Sequence, residues 1–386
     1  MSNRILTAAL VAGLFATSAL STARADITVG LITSMSGPVS SIGIPYSKGI
    51  KAGQVYSSEI GGEKIKVIEL DDTSDISNAS KLARKLIEED KVDVLIGTAG
   101  APGSAAIMAV ATEMKVPVIG ITPVSKLPQN DGKTWAMTVV QPASDMVGAV
   151  VTEMKTQGLK NVAFIGFSDS WGDLVYNNGK AAADKLGINI VTNERYGRAD
   201  TSVTGQVLKV IASHPDGVLN GGSGTGGALP YTALADRGYR GPIFGTPALI
   251  NPDFVRLAGA AAEGTICSTG PIMVVDQLPD GNPSKKIGLA FKDAYQKANN
   301  APSNDGFSAY AFDAWLVLND AGKRALAKAK PGTPEFRGAL RDAIYSVHEL
   351  AGVQGIYNFT EASPYGTDLR ALVLVKLQGG KWNFYK

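Results

Sequence analysis

The chain has 386 residues, a formal net charge of +2 and only 19% charged residues. This length allows two domains with separate cores, and the near-neutral charge argues against a nucleic-acid partner or an acidic tail. Its single cysteine, Cys267, cannot form a disulfide within the chain.

The first 25 residues have the pattern of a secretory signal peptide. A basic start at Arg4 precedes an apolar run over residues 5–20, and residues 23–25 (Ala-Arg-Ala) fit the small-x-small cleavage rule. A membrane anchor is the alternative, but the run is short and Gly13 interrupts it. We therefore predict cleavage before Asp26 and a soluble product in the periplasm. A lipoprotein would need cysteine where Asp26 stands.

Strands and helices alternate through the first part of the mature chain. The predicted strands cover residues 27–32, 64–70, 94–96 and 116–119, and the predicted helices cover residues 41–60, 77–90 and 104–114. The last two strands are short apolar runs, as expected when helices cover both faces of a parallel sheet. This order predicts a doubly wound α/β domain.

A second set of the same units begins near Ala143. Its predicted helices cover residues 145–157, 171–186, 203–212 and 228–237, and its predicted strands cover residues 161–166, 188–192, 216–220 and 242–244. These segments predict a second α/β domain.

The last hundred residues have a different pattern. Helices are predicted over residues 284–297, 306–327 and 334–345, followed by strand-like segments at 355–359, 370–377 and 381–385. Since late strands usually complete sheets already begun, we infer that the chain crosses between the domains more than once. The result would be a hinge of two or three strands beside a cleft that binds a small ligand.

Two turns of the first domain should meet at one edge of its sheet. They comprise residues 98–104 and 122–125 and follow two neighbouring strands. In open parallel sheets, ligands bind beyond the carboxyl ends of the strands. The turns offer backbone N–H groups, a helix N-terminus and small hydroxyls, but no carboxylate, histidine or cysteine. This combination indicates an anion-binding surface without catalytic groups.

A glycine-rich segment over residues 222–227 matches the dinucleotide-binding pattern G-x-G-x-x-G. That pattern also requires an acid after the next strand, and the strand here runs into Gly245-Thr246-Pro247-Ala248. We interpret the segment as a turn facing the cleft. The alternative is that its glycines only relieve packing.

Other motifs give weaker signals. Asp71 and Asp72 precede a helix, where acids are ordinary caps, and they lack the further ligands of a calcium loop. The two histidines, His214 and His348, support neither a zinc site nor a Ser-His hydrolase. Ser170 replaces the last glycine of a G-x-S-x-G elbow. We therefore expect no metal, no cofactor and no enzyme activity.

Three aromatic residues are candidates for the cleft wall. Trp171 follows a predicted strand of the second domain, where its ring could face the cleft, although a core position is the alternative. Phe307 and Tyr310 lie at the start of the long late helix and could also reach the cleft.

Segments along nearly the whole mature chain resemble the periplasmic solute-binding proteins of ABC transporters, type I fold, in the branched-chain amino acid (Leu/Ile/Val-binding) family. The matching segments are residues 29–38 (VGLITSMSGP), Gly49, residues 71–72, 95–97, 121–123, 168–169, 171–172, 221–222 and 310–313. Their order and spacing carry the resemblance, since no single one is specific.

The resemblance implies two doubly wound α/β lobes joined by a multi-strand hinge that closes on a ligand. Crossings are expected near residues 143, 271 and 354. Residues 26–143 and 272–353 would form lobe 1, and residues 144–271 and 354–386 would form lobe 2.

The same resemblance assigns the binding site. The ligand carboxylate would lie at the turns that contain Gly100-Ala101-Pro102 and Val124-Ser125-Lys126, and Trp171 would cover the ligand. Amino-acid binders of the family hold the ammonium with an acid at the position of Ala248 here. The ligand-binding residues we predict are Ile42, Gly100, Ala101, Pro102, Ser104, Thr122, Val124, Ser125, Trp171, Gly222, Ser223, Pro247, Ala248 and Phe307.

Because Ala248 replaces that acid, a buried ammonium would lack a partner at a cost of several kcal/mol. We therefore expect an aromatic carboxylate, such as a benzoate, a phenylpropenoate or an aryl keto acid, which a monomeric protein delivers to an ABC permease. A binder of branched-chain or other amino acids is the first alternative. An exported sensor module is the second, and a secreted α/β enzyme is the third.

Overall fold

The computed structural model describes residues 26–386, and the predicted signal peptide lies outside the described residues. Its first sheet has the strand order β2-β3-β1-β4-β5-β6, in which only β2 is antiparallel to its neighbour. The strands are β1 (Ile27–Thr33), β2 (Glu59–Ile60), β3 (Glu63–Asp71), β4 (Val94–Gly97), β5 (Val118–Gly120) and β6 (Ala136–Thr138). The intervening helices are α1 (Ser40–Tyr56), α2 (Ile76–Glu88) and α3 (Ala101–Glu113).

The second sheet has seven strands. Its parallel strands are β7 (Asn161–Phe167), β8 (Asn189–Tyr196), β9 (Gly217–Gly221), β10 (Ile243–Gly245) and β11 (Ile266–Thr269). Helix α4 (Ala143–Thr156) precedes β7. The helices between the parallel strands are α5 (Ser170–Leu186), α6 (Thr204–Ala212), α7 (Leu229–Asp236) and α8 (Pro252–Ala258). Both sheets therefore have the alternating strand and helix order that the sequence predicts.

The late part of the chain returns to both halves. It contains the helices α9 (Pro283–Asn299), α10 (Phe307–Leu326) and α11 (Pro334–Ile344), and the strands β12 (Leu350–Ala351), β13 (Ile356–Tyr357), β14 (Val373–Gln378) and β15 (Lys381–Phe384). Helices α9 and α10 pack against α1. Strands β14 and β15 extend the second sheet beside β11, giving the order β15-β14-β11-β10-β9-β7-β8.

Several predicted elements differ from the structure in their bounds or partners, and three of these differences have a local cause. Helix α3 begins at Ala101 instead of residue 104, because extended Gly100 takes the N-cap position and Pro102 suits the first turn. Helix α1 ends at Tyr56 instead of residue 60, because the following residues form strand β2. Strand β13 pairs with β12 in a separate two-stranded sheet and completes neither large sheet.

Hydrogen bonds near residues 141 and 354 tie the crossing segments together. The Nε2 atom of Gln141 donates to the carbonyl oxygens of Gln354 at 3.0 Å and Ala371 at 2.9 Å. The segment between β13 and β14 also reaches the first sheet, since Thr138 N donates to Pro364 O at 3.0 Å and Tyr365 OH donates to Val124 O at 2.6 Å. The exact division into two lobes stays a prediction.

Apolar side chains fill two core clusters. The larger spans both sheets and includes much of α10, and the smaller lies between the first sheet, α2 and α3. Within residues 26–386, no helix combines the length and apolar character needed to cross a bilayer.

Candidate ligand-binding site

A cavity lies between the two halves, beyond the carboxyl ends of strands in both sheets. It holds about 420 Å³ of empty space, part of it open to solvent. We call it the inner cavity. Its lining is Ile42, Tyr46, Ala99, Ala101, Thr122, Pro123, Val140, Met146, Trp171, Arg198, Ser223, Pro247, Ala248, Phe307 and Tyr310.

Three buried hydroxyl groups in this lining donate their protons to protein acceptors. Tyr46 OH donates to Ile121 O, and Thr122 Oγ1 donates to Thr98 O at 2.6 Å. Tyr310 OH donates to Gln141 Oε1 at 2.5 Å. Burial raises the pKa of Tyr46 and of Tyr310 above the ordinary value. Both phenols therefore stay protonated, and all three groups offer only lone pairs to a ligand.

Trp171 forms part of the cavity wall, and both its backbone and its side chain are held by hydrogen bonds. Its backbone N–H donates to Asp169 Oδ1 at 3.0 Å, where Asp169 caps helix α5. Its indole Nε1 donates to Gly222 O at 3.1 Å, and its side chain is buried. These two bonds fix the ring beside the cavity.

Arg198 is the only charged residue among the fifteen that line the inner cavity, all of them within residues 26–386. Its Nε donates to Asp169 Oδ2 at 2.5 Å, and its Nη1 donates to Ser223 Oγ at 2.9 Å. Its Cζ lies 4.2 Å from the centroid of the Phe167 ring. The guanidinium is therefore fixed on three sides, as ion pairing, hydrogen bonding and stacking on an aromatic ring allow.

The structure brings eight of the fourteen predicted residues into this lining. They are Ile42, Ala101, Thr122, Trp171, Ser223, Pro247, Ala248 and Phe307. The cleft-facing interpretation of the glycine-rich turn also agrees with this geometry, since Ser223 within the turn lines the cavity.

The other six predicted residues do not line the inner cavity. Gly100 and Pro102 line a neighbouring outer cavity of about 970 Å³, open to solvent, together with Asp72, Asp169 and Arg198 among others. Of the three residues Gly100, Ala101 and Pro102 at the start of α3, Ala101 alone lines the inner cavity.

The other four residues serve local structure. The hydroxyl of buried Ser104 is bonded to the backbone N–H and C=O of Thr98. Val124 belongs to the smaller core cluster, Ser125 is exposed, and Gly222 contributes the carbonyl that accepts from Trp171.

The sequence did not single out Tyr46, Ala99, Pro123, Val140, Met146 or Arg198 as binding residues. Ala99 and Pro123 lie in the two turns that the sequence predicts to converge at the site. Arg198 was missed because its strand was predicted to end at residue 192. Strand β8 continues to Tyr196, and Arg198 follows its carboxyl end.

The acidic pair before α2 has a local role. Asp71 accepts from the backbone N–H groups of Met35 and Thr73, each at 2.8 Å. Asp72 accepts from Ser34 Oγ at 2.6 Å and from Thr98 Oγ1 at 2.5 Å. Among residues 26–386, no group of three or more His, Cys, Asp and Glu side chains is arranged to hold a metal ion.

Comparison with known proteins explains this architecture. The family model described as periplasmic binding protein matches residues 26–381. The chain belongs to this family. The predicted α/β fold with two parallel-sheet lobes is thereby confirmed as the type I fold of periplasmic binding proteins.

Three relatives illustrate the match to periplasmic binding proteins. Leu/Ile/Val-binding protein homolog 3 of Brucella melitensis is 25% identical over 88% of this chain and 89% of its own. A crystal structure of an extracellular ligand-binding receptor from Rhodopseudomonas palustris HaA2 is 40% identical, with a TM-score of 0.89 over 94% of this chain and 100% of that chain. A solute-binding protein of an ABC transporter from R. palustris, solved in complex with benzoate, is 22% identical, with a TM-score of 0.79 over 93% of this chain and 95% of that chain. The last likeness shows the fold alone.

Proposed function

We propose that this protein captures a small aromatic carboxylate in the inner cavity and delivers it to an ABC permease. The observation that carries the proposal is the cavity lining, which is mostly apolar and aromatic and contains one cation. A ring with one negative charge suits this combination of surfaces.

Each chemical feature of such a ligand has a counterpart in the lining. Trp171, Phe307 and Met146 offer apolar surface for a ring. Arg198 and the start of α3 offer donors for a carboxylate, as charge-assisted hydrogen bonds of about 1.5 to 3 kcal/mol each. Together with ring burial, these contacts could give micromolar affinity, which corresponds to about −8 kcal/mol. Benzoates, phenylpropenoates and aryl keto acids all have these features.

A branched-chain amino acid is the second candidate, and the name of the Brucella relative favours it. Its ammonium group would need an acidic partner, but the inner cavity is lined by no Asp or Glu within the described chain. Asp169 is already engaged by Arg198 and by the first turn of α5. Because a buried, unpaired ammonium costs several kcal/mol, we favour a carboxylate that lacks one.

We infer export to the periplasm through cleavage of residues 1–25, and action as a monomer without a cofactor, metal or nucleic-acid partner. Binding would be non-catalytic, with the ligand held between the two lobes until a permease accepts it.

The test is a binding measurement on residues 26–386, refolded to remove any ligand that survives purification. Calorimetry would compare benzoate and 3-phenylpropenoate with their amides, with an aliphatic carboxylate such as hexanoate, and with leucine, isoleucine and valine. We expect an aromatic carboxylate to bind and its amide to bind more weakly. Binding of leucine or valine alone would refute the aromatic proposal and support the amino-acid candidate.

A series of tryptophan variants tests whether the ligand binds in the inner cavity, against Trp171. Trp171→Ala should weaken an aromatic carboxylate by removing the ring, whereas Trp171→Phe keeps an aromatic surface and should weaken it less. Trp135, outside the cavity lining, provides a control through Trp135→Phe. Equal losses in all three variants would show that the ring does not lie against Trp171.

A further inference from the structure

Arg198 is shared by both cavities, which places it at the boundary between them. In the inner cavity it is accompanied by Ala99 and Ala101, and in the outer cavity by Gly100 and Pro102. These four residues form the turn and first residues of α3, in the first-sheet half. Arg198 follows β8 of the second sheet, so the two halves face each other here.

The hydroxyl groups elsewhere around the inner cavity cannot serve a carboxylate. The protons of Tyr46, Thr122 and Tyr310 already go to protein acceptors. A carboxylate only accepts hydrogen bonds, so lone pairs on these oxygens repel it. Its position is therefore restricted to the part of the lining that has donors.

Arg198 and Ser223 supply such donors from the second-sheet half. A guanidinium has five N–H bonds, and the bonds to Asp169 and Ser223 use one on Nε and one on Nη1. Ser223 Oγ accepts from Arg198, which leaves its own O–H able to donate to a ligand. The contacts with Asp169 and Phe167 hold the guanidinium in place before a ligand arrives.

The start of α3 supplies donors from the opposite half. Gly100 occupies the N-cap position of α3 and has no side chain that could accept a hydrogen bond from the first N–H groups of the helix. The helix has thirteen residues, and its N-terminus favours negative charge. A carboxylate between Ala101 and Arg198 would meet donors from both halves.

We propose that Arg198 binds the ligand's carboxylate from the second-sheet half of the protein, opposite the start of α3. The carboxylate then bridges the two halves and stabilises the closed form. This inference rests on the proposed function and deepens it, because it assigns specificity for the anion to a residue outside the two first-domain turns. The charge of the ligand then contributes to closure as well as to recognition.

The test measures how each variant distinguishes a carboxylate from its neutral amide. Calorimetry on the full mature chain would use 3-phenylpropenoate and 3-phenylpropenamide with the wild type, Arg198→Gln, Arg198→Lys and Ser223→Ala. We expect Arg198→Gln to weaken the carboxylate roughly 10- to 100-fold and to change the amide much less. Arg198→Lys should recover part of the loss, since it keeps the charge but lacks the planar fork.

Arg195→Gln is the matched control. Arg195 also belongs to the second-sheet half, and its Nη1 donates to Phe167 O at 2.9 Å and to Asp173 Oδ1 at 3.0 Å. It lines neither cavity. It should leave the ratio of carboxylate to amide affinity unchanged. Ser223→Ala keeps the inference testable if Arg198→Gln fails to fold, and it should lower the same ratio by a smaller factor.

Small-angle X-ray scattering gives a second readout. Saturating 3-phenylpropenoate should reduce the radius of gyration of the wild type, and the amide should reduce it less. Equal losses for carboxylate and amide in Arg198→Gln, with wild-type carboxylate binding intact, would overturn this inference alone. Failure of the wild type to bind any carboxylate in the panel would overturn the proposed function and the inference together.

Discussion

Gly224 in the second-sheet half lies directly against Ser41 in the first, so that a Cβ atom built on Gly224 would be 2.5 Å from Ser41 Oγ. The next residue, Thr225, donates its backbone N–H to the same Ser41 oxygen at 3.2 Å. The two halves therefore touch beside the inner cavity, next to Ser223 and Ile42, which both line it. A methyl group at this contact would push against the Ser41 hydroxyl and thereby favour separation of the two halves.

We predict that Gly224→Ala weakens ligand binding by roughly tenfold or more, since overpacking typically costs about 1 to 3 kcal/mol. The loss should appear mainly as faster dissociation, because the closed form is the one that is destabilised. Stopped-flow measurement of the dissociation rate, with the aromatic carboxylate identified by calorimetry, would check this.

The backbone conformation of Gly224 requires its own control, because φ is +53° there. Gly238, in the same half, has φ of +80°, and no atom lies within 4 Å of the point that a Cβ would occupy there. Gly238→Ala should therefore lose stability through backbone strain alone, about 1 to 2 kcal/mol, and keep its affinity. If both variants bind as tightly as the wild type, the contact with Ser41 does not control closure.

The buried carboxyl of Asp313 gives a prediction about pH. Its oxygens accept from Val353 N and Gln354 N, each at 2.7 Å, and from Tyr357 OH at 2.6 Å. Burial nevertheless raises the pKa of Asp313 to about 7. In the unfolded chain the pKa of this group is about 3.9.

The sign of the effect follows from proton binding. Between about pH 4 and pH 7 the folded state holds the Asp313 proton and the unfolded state does not, so the free energy of unfolding falls as pH rises through this window. Asp313→Asn removes the titration. We predict that urea unfolding shows a shallower decline between about pH 4.5 and pH 7.5 in the variant than in the wild type. Identical slopes would show that this carboxyl stays ionised in the folded state over the whole range.

The order of strands and helices could be predicted from the sequence because local patterns of apolar residues determine it. Short apolar runs identified the buried parallel strands, and the amphipathic pattern of residues 77–90 identified α2. The turns after β4 and β5 could be placed at the site because the carboxyl ends of parallel strands share one edge of a sheet. These signals are contained in a few consecutive residues.

The parts that were missed depend on distant residues. Strand β8 is an edge strand, so Asn193, Glu194 and Arg195 remain partly exposed and conceal its continuation toward Arg198. The start of α3 is predicted at residue 104 because the preceding segment is rich in glycine, yet Pro102 and Gly103 lie within the helix. The bond between Gln141 and Gln354 joins residues 213 positions apart, which no local pattern indicates.

A last prediction concerns Gly49, which marked the family resemblance without an evident reason in the sequence. Helix α1 crosses α10 so closely there that a Cβ on Gly49 would be 2.1 Å from the carbonyl oxygen of Ser308. Ser308 is next to Phe307, which lines the inner cavity. The glycine therefore sets the distance between α1 and the start of α10.

We predict that Gly49→Ala lowers the free energy of unfolding by about 1 to 3 kcal/mol, because backbone atoms cannot yield to the added methyl group as a flexible side chain could. Gly338 in α11 is the matched control, since nothing lies within 4 Å of its Cβ position. Gly338→Ala should stabilise the protein by about 0.5 to 1 kcal/mol through helix propensity. Urea unfolding of both variants would measure the contrast, and stabilisation by Gly49→Ala would show that α1 and α10 have room to separate.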